Sequence, residues 1–183
     1  MKRITVFLTI ICSLAISQAC GQKQKVSQVS SLTGSLLQRA TSIVFSTDNG
    51  TVPPEYQYSC KVTVKKGSVR MTVKTEYGEK TPYDKTARLT DAQYRRFLNS
   101  LGGQSIRKSM AVEDPGHGGS QAILVVYQNS SVLFKGEDGV DLIVGRGTLA
   151  DSFREVLPSD MRAILDNPER AKINNIFKKI KKK

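Results

Sequence analysis

The plainest pattern in the chain is an alternation of apolar and polar positions. Tyr56, Tyr58, Cys60, Val62 and Val64 alternate with Gln57, Ser59, Lys61, Thr63 and Lys65. After Lys66-Gly67 the alternation resumes, with Val69, Met71, Val73 and Tyr77 set against Ser68, Arg70, Thr72, Lys74 and Glu76. A period of two on both sides of a glycine turn predicts an antiparallel hairpin with one apolar and one charged face. Cys60 falls on the apolar side, so it reads as a small buried hydrophobe and not as a nucleophile.

Further strands are expected where short apolar, β-branched runs meet turn residues. Ser42 to Ser46 is one, closed by the turn-forming stretch from Thr47 to Pro54. Ala122 to Tyr127 is continuously apolar, the pattern of a strand covered on both faces. Asn129-Ser130 leads into Val132-Leu133-Phe134, and Glu137-Asp138-Gly139 leads into Val140 to Val144, where Asp141 is the odd polar residue.

Helices follow from capping chemistry. Thr90-Asp91-Ala92-Gln93 is a capping box, Tyr94, Phe97, Leu98 and Leu101 share one face, and Gly102-Gly103 predicts a left-handed stop. Thr148 caps a helix that turns Leu149, Phe153, Val156 and Leu157 inward. Pro158-Ser159-Asp160 starts another through Met161, Ile164 and Leu165, and Asn167-Pro168 starts the last. These elements predict a single α+β domain over residues 41–166. Its expected core is an antiparallel sheet of five to six strands, with helices on one face and at the C-terminal end.

The N-terminus changes the picture. Lys2 and Arg3 precede an apolar run from Ile4 to Ile16, then Ser17-Gln18-Ala19, Cys20 and the polar Gly21 to Lys25. A charged start, a short apolar run and small residues before a cut predict a signal peptide over 1–19. The segment resembles a bacterial lipoprotein signal, which implies acylation of Cys20 and anchorage to a membrane. Ala19 fits the position before the cut, whereas Ser17 stands where such signals usually carry leucine. Ser17 and Ala19 also satisfy the rule for ordinary cleavage, which leaves a soluble secreted or periplasmic product as the alternative. Gly21 is not aspartate, and by the same resemblance this implies the outer membrane. Residues 20–40 are expected to form a polar tether with a short helix over Val26, Val29, Leu32, Leu36, Leu37 and Ala40.

The formal charge of +12 on 183 residues is unevenly placed. Lys2 and Arg3 leave with the leader, and residues 170 to 183 hold seven cations and no acid. The body from Cys20 to Glu169 keeps 19 basic and 16 acidic residues, so the chain is an ordinary domain with a basic tail. That distribution, with export, argues against a nucleic-acid partner. Within the tail, 167–183, Ile173, Ile176, Phe177 and Ile180 recur at helical spacing, and Lys172, Lys178, Lys179, Lys181, Lys182 and Lys183 fill the rest. A basic amphipathic helix suits an anionic membrane surface, unless its apolar stripe docks on the domain.

Asp114-Pro115-Gly116-His117-Gly118-Gly119 resembles the segment carrying the first zinc-ligating histidine of N-acetylmuramoyl-alanine amidases. A catalytic zinc needs about three protein ligands, and His117 is the chain's one histidine. The segment therefore reads as a loop tip, with Glu113, Asp114 and His117 as candidate partner-binding residues, no catalytic residue, no metal and no cofactor. Glu113, Asp114, Glu137, Asp138 and Asp141 lack the spacing of a calcium loop and read as turn acids. A strand pair, the helix start at Leu89 to Gln93, a hairpin and Phe134 to Gly139 together resemble emfourin-type protease-inhibitor domains in element order. That resemblance implies an inhibitor module and carries over no individual residue. The function expected first is a non-catalytic lipoprotein that binds a protein or envelope partner.

Overall fold

A computed structural model describes residues 25–50, 52–109, 119–137 and 139–171. The fold is α+β. Its strands are β1 (Lys25–Gln28), β2 (Leu32–Thr33), β3 (Ser42–Asp48), β4 (Tyr58–Lys65), β5 (Ser68–Thr75), β6 (Lys80–Arg88), β7 (Ser105–Lys108), β8 (Gln121–Val126), β9 (Ser130–Lys135), β10 (Leu142–Val144) and β11 (Gly147–Thr148). Its helices are α1 (Gly34–Leu37), α2 (Asp91–Gly102), α3 (Leu149–Val156) and α4 (Ser159–Asp166), with a 3-10 turn at Glu76–Gly78.

Two sheets replace the one expected, and they hold more strands than five or six. The larger has seven strands in the order β1-β9-β8-β3-β4-β5-β6, and the smaller has four, β11-β10-β7-β2. The larger is mixed, because β1 runs parallel to β9 while its other pairs are antiparallel. The hairpin of β4 and β5 matches the alternation, with Lys65 opposite Ser68 across a two-residue turn. Gly67 takes the left-handed conformation there at φ +86°, which a side chain would disfavour. Tyr56, expected on the apolar face, lies before the strand and is 59% exposed. Cys60, Val62, Val64, Val69, Met71 and Val73 are buried as expected, and burial pushes the free Cys60 thiol up to about 12.

The strands missed in the sequence are those with little apolar signal. β6 carries Tyr83 and Ala87 among polar residues and includes Pro82, which is tolerated because β6 is an edge strand with a register irregularity opposite Val73 to Thr75. β7 has only Ile106 buried. The tether expected before residue 41 gives way at Lys25 to β1, whose pairing with β9 overrides its polar composition. The short helix shrinks to the single turn α1, and Leu32 and Leu37 are fully buried. β8 is not covered on both faces: Ile123 and Val125 are fully buried, while Ala122, Leu124 and Val126 are half-buried.

The helices behave as their caps predict. Thr90 accepts the Gln93 N–H at 3.2 Å and gives its own N–H to the Gln93 side chain, and Thr148 and Asp151 do the same at α3. The stop after α2 is not left-handed, since Gly103 sits at φ −93°. Phe97, Leu101, Phe153, Val156, Met161 and Ile164 join the inward residues of β3, β4, β5 and β8 in one core. Phe45, Phe97 and Phe153 meet at its centre. The other face of the large sheet is polar on β4 and β5, with Lys61, Arg70 and Lys74 exposed and Thr63 and Thr72 half-buried. It is apolar on β3, β8 and β9, where Val44 is buried and Leu124 and Leu133 are half-buried.

Candidate functional site

The registers sort the connections by end. β3 finishes at Asp48 opposite Ser59, β8 starts at Gln121 opposite Thr47, β9 finishes at Lys135 opposite Ala122, and β5 finishes at Thr75 opposite Tyr58. Four connections therefore gather at one end of the large sheet: 49–57, the turn 76–79, the segment leading into β8 and the turn 136–141. Loops collected at one end of a rigid sheet are where binding groups concentrate.

Asp48 organises this end. Its carboxylate accepts the Gly50 N–H at 2.9 Å, the Ser120 N–H at 3.1 Å and the Ser120 hydroxyl at 2.6 Å. Its own N–H donates to the Ser120 carbonyl at 3.1 Å. Burial pushes the carboxyl up, but the hydrogen bonds from Ser120 and Gly50, with the charge of Lys135, outweigh it and hold Asp48 below the usual range. Next to it, Asn49 donates from its side-chain amide to the Tyr56 carbonyl and accepts the Tyr58 N–H, both at 2.9 Å, which closes the 49–57 loop on itself. Gly119 passes so close that a Cβ there would lie 1.6 Å from the Asp48 carbonyl oxygen.

The segment 110–118 leaves the described chain at Ser109 and returns at Gly119, and both flanks are pinned. Ser109 donates its N–H to the Asp141 carbonyl at 2.8 Å, and its hydroxyl accepts the Asp141 N–H at 3.1 Å. Lys108 pairs with Glu137 at 2.6 Å, an exposed contact that lowers the Glu137 pKa through the hydrogen bond and the charge. Gly139 donates its N–H to the Gly119 carbonyl at 3.1 Å. Asp141, expected as a turn acid, accepts the Gln121 side-chain amide at 2.6 Å, and the Gln121 carbonyl oxygen of that same amide accepts the Leu142 N–H.

At the rim, a cleft of about 330 Å³ is lined by Asp48, Gln57, Tyr58, Ser59, Lys74 and Gly78. Burial raises the Tyr58 pKa, assisted by the charge of Glu169. Glu76 borders this region at φ +55°, the one left-handed residue other than glycine among the described residues. Backbone strain of that kind costs roughly 1–3 kcal/mol and collects at functional sites.

Glu113, Asp114 and His117 lie outside the described residues; the described residues on either side, Ser109 and Gly119, are fixed at this end. Cys20, Lys172, Lys178, Lys179, Lys181, Lys182 and Lys183 also lie outside the described residues. Among the described residues, no three His, Cys, Asp or Glu side chains gather as a metal site, and no helix is long and apolar enough to cross a membrane. The pairing of Asp48 with Ser120 was invisible in the sequence because 72 positions separate the two. Only the turn chemistry of Asp48-Asn49-Gly50 hinted at it. No protein family, curated protein or solved structure matches the chain.

Replacement of Asp48 by asparagine removes the negative charge and the Oδ2 acceptor of the Ser120 hydroxyl, and leaves the Gly50 and Ser120 N–H groups a neutral amide oxygen in place of a carboxylate. The site is partly exposed, so the expected loss is about 1–2 kcal/mol at neutral pH. The native pKa lies below the unfolded value of about 3.9. The stabilisation is therefore full above that value and lost as pH falls through the native one. Urea midpoints should separate wild type from Asp48→Asn at pH 7 and converge on acidification; a constant gap would contradict the assignment.

Proposed function

We propose that the chain is a non-catalytic exported lipoprotein of the bacterial envelope, held at the outer membrane through acylated Cys20, that binds a protein partner with the loop end of its large sheet. The observation that carries this reading is the double pinning of 110–118. Its flanks are fixed at Ser109 and Ser120 by hydrogen bonds to Asp141 and Asp48. Bonds of that kind present a loop from a rigid base, which lowers the ordering cost of binding. Glu113, Asp114 and His117 supply charge and hydrogen-bonding groups in that loop, and the 330 Å³ cleft at the rim offers a seat for a partner side chain. The basic tail from Arg170 to Lys183 is a second surface, suited to anionic headgroups.

The test is capture from whole envelopes with the tagged chain, followed by binding of the purified captured protein. Replacing residues 113–118 with glycine and serine should weaken that binding at least tenfold, the effect of removing one or two anchor residues. The unfolding midpoint should stay in place. Binding that survives the replacement removes the loop from the reading. A captured metalloprotease whose activity falls on binding would specify the inhibitor form of the same function.

A further inference from the structure

We infer that the opposite end of the large sheet is the membrane-facing end, and that Arg39, Lys65, Lys66 and Arg88 rest there on anionic lipid headgroups. The inference builds on the lipoprotein reading and adds to it an orientation and a lipid class. It starts from where the chain arrives. β1 is parallel to β9 with Lys25 opposite Ser130, so the chain joins the sheet beside the turn between β8 and β9. Five residues after Cys20 span at most about 18 Å when fully extended. An acyl chain on Cys20 therefore holds this end of the sheet close to the headgroups.

The charges at this end match such a surface. Lys65 ends β4 and Lys66 opens its turn into β5, Arg88 ends β6 opposite Ser68, and Arg39 shares a cleft with Leu36, Thr41, Tyr127, Gln128 and Asn129. All four cations are exposed. Arg39, Lys65 and Arg88 form no ion pair with a described residue, and Lys66 meets Asp91 only loosely at 4.0 Å. Asp91 is the acid of this end, at the start of α2, which is fixed here by the Leu89 N–H on the Gly67 carbonyl. The loop end is different: Asp48, Glu55, Glu76, Glu79, Glu137, Asp141 and, beside Tyr58, Glu169 sit among Lys74, Lys80, Lys108 and Lys135, with Arg170 following Glu169. The exposed apolar side chains Val26 (57%) and Leu36 (37%) also belong to the arriving end. Cations ringing a little exposed apolar surface are what an anionic interface attracts, and each cation near it contributes about a fivefold gain in partitioning. The loop end then stands away from the bilayer by the length of β3, about 24 Å for seven residues, free to meet a partner.

The experiment places the mature protein in vesicles containing anionic phosphatidylglycerol and a headgroup-linked nitroxide quencher. A fluorophore is attached at Gln128→Cys in one sample and at Glu55→Cys in another, the native Cys60 thiol being buried and the Cys20 thiol blocked by its acyl chain or, in the unacylated sample, replaced by Cys20→Ser. Strong quenching is expected at position 128 and background quenching at position 55. The contrast should vanish in the variant with Arg39→Glu, Lys65→Glu, Lys66→Glu and Arg88→Glu. It should survive in a control of equal charge with Lys61→Glu, Lys74→Glu, Lys80→Glu and Lys135→Glu. Raising the salt to about 1 M, which shortens screening to about 3 Å, should weaken the contrast in the unaltered sheet. Equal quenching at both positions, or equal loss in both charge variants, overturns the inference. The mass of the N-terminal peptide reports acylation separately. An unacylated product that still shows the contrast would sink the anchor and keep the surface, whereas an acylated product without it would do the reverse.

Discussion

Replacing Phe153 by alanine is expected to destabilise the fold by about 3–5 kcal/mol, the cost of deleting a buried aromatic ring and leaving its cavity. Phe153 is fully buried. Its ring stacks on Phe45 of the central strand β3 at 5.2 Å and 29°, and stands edge-on to Phe97 of α2 at 5.0 Å and 72°. One side chain thus connects α3, α2 and the middle of the large sheet. Neither neighbour can fill the gap easily, because each is fixed by its own element: Phe45 by pairing on both sides of β3, Phe97 by a capped helix. Phe153→Leu keeps most of the volume and should cost clearly less, about 1–2 kcal/mol. Urea denaturation of both variants reads the difference as a shift in midpoint at constant slope. A Phe153→Ala cost below about 1 kcal/mol would mean that the three rings are not the centre of the core.

The inward facing of Phe97 and Phe153 was legible in the sequence, and the reason is local; their meeting with Phe45 was not. Phe97 and Phe153 lie in helices whose capping boxes, Thr90 with Gln93 and Thr148 with Asp151, are contained in four consecutive residues each. The hairpin of β4 and β5 was legible for the same reason, since alternation and a Lys66-Gly67 turn need no distant partner. What could not be read were elements whose reason for existing is a neighbour far along the chain. β1 is a polar strand made by β9, 105 positions away. β6 is an edge strand whose exposed face needs no apolar residues, and β7 and β2 pair with each other through Leu32 opposite Ile106. The same distinction applies to the candidate site. The segment with Glu113, Asp114 and His117, expected as a loop from its composition, lies outside the described residues, while the residues that fix its flanks, Asp48, Ser109, Ser120 and Asp141, looked like ordinary turn residues until the sheet brought them together.

The base of the loop yields the other large effect: Gly119→Ala should cost roughly 2–4 kcal/mol, as expected when a methyl group is forced into a packed contact. The added carbon would lie 1.6 Å from the Asp48 carbonyl oxygen, 2.7 Å from its carbon and 3.1 Å from the Asn49 Cα. All three are backbone atoms, so no rotamer change relieves the overlap. Asp48 cannot retreat either, because β3 pairs it with Ser59 and its N–H and carboxylate both hold Ser120. Something in the clamp must open, and the return flank of 110–118 moves with it. Gly103→Ala provides the matched control. Nothing lies within 4 Å of a Cβ at Gly103, and its φ of −93° is one that alanine adopts. That substitution should leave stability unchanged or raise it by about 0.4–1 kcal/mol through the unfolded chain. Partner binding should fall with Gly119→Ala and hold with Gly103→Ala. Equal stabilities for the two variants would show that Gly119 does not cross Asp48 at close range, and would remove the fixed base on which presentation of the loop depends.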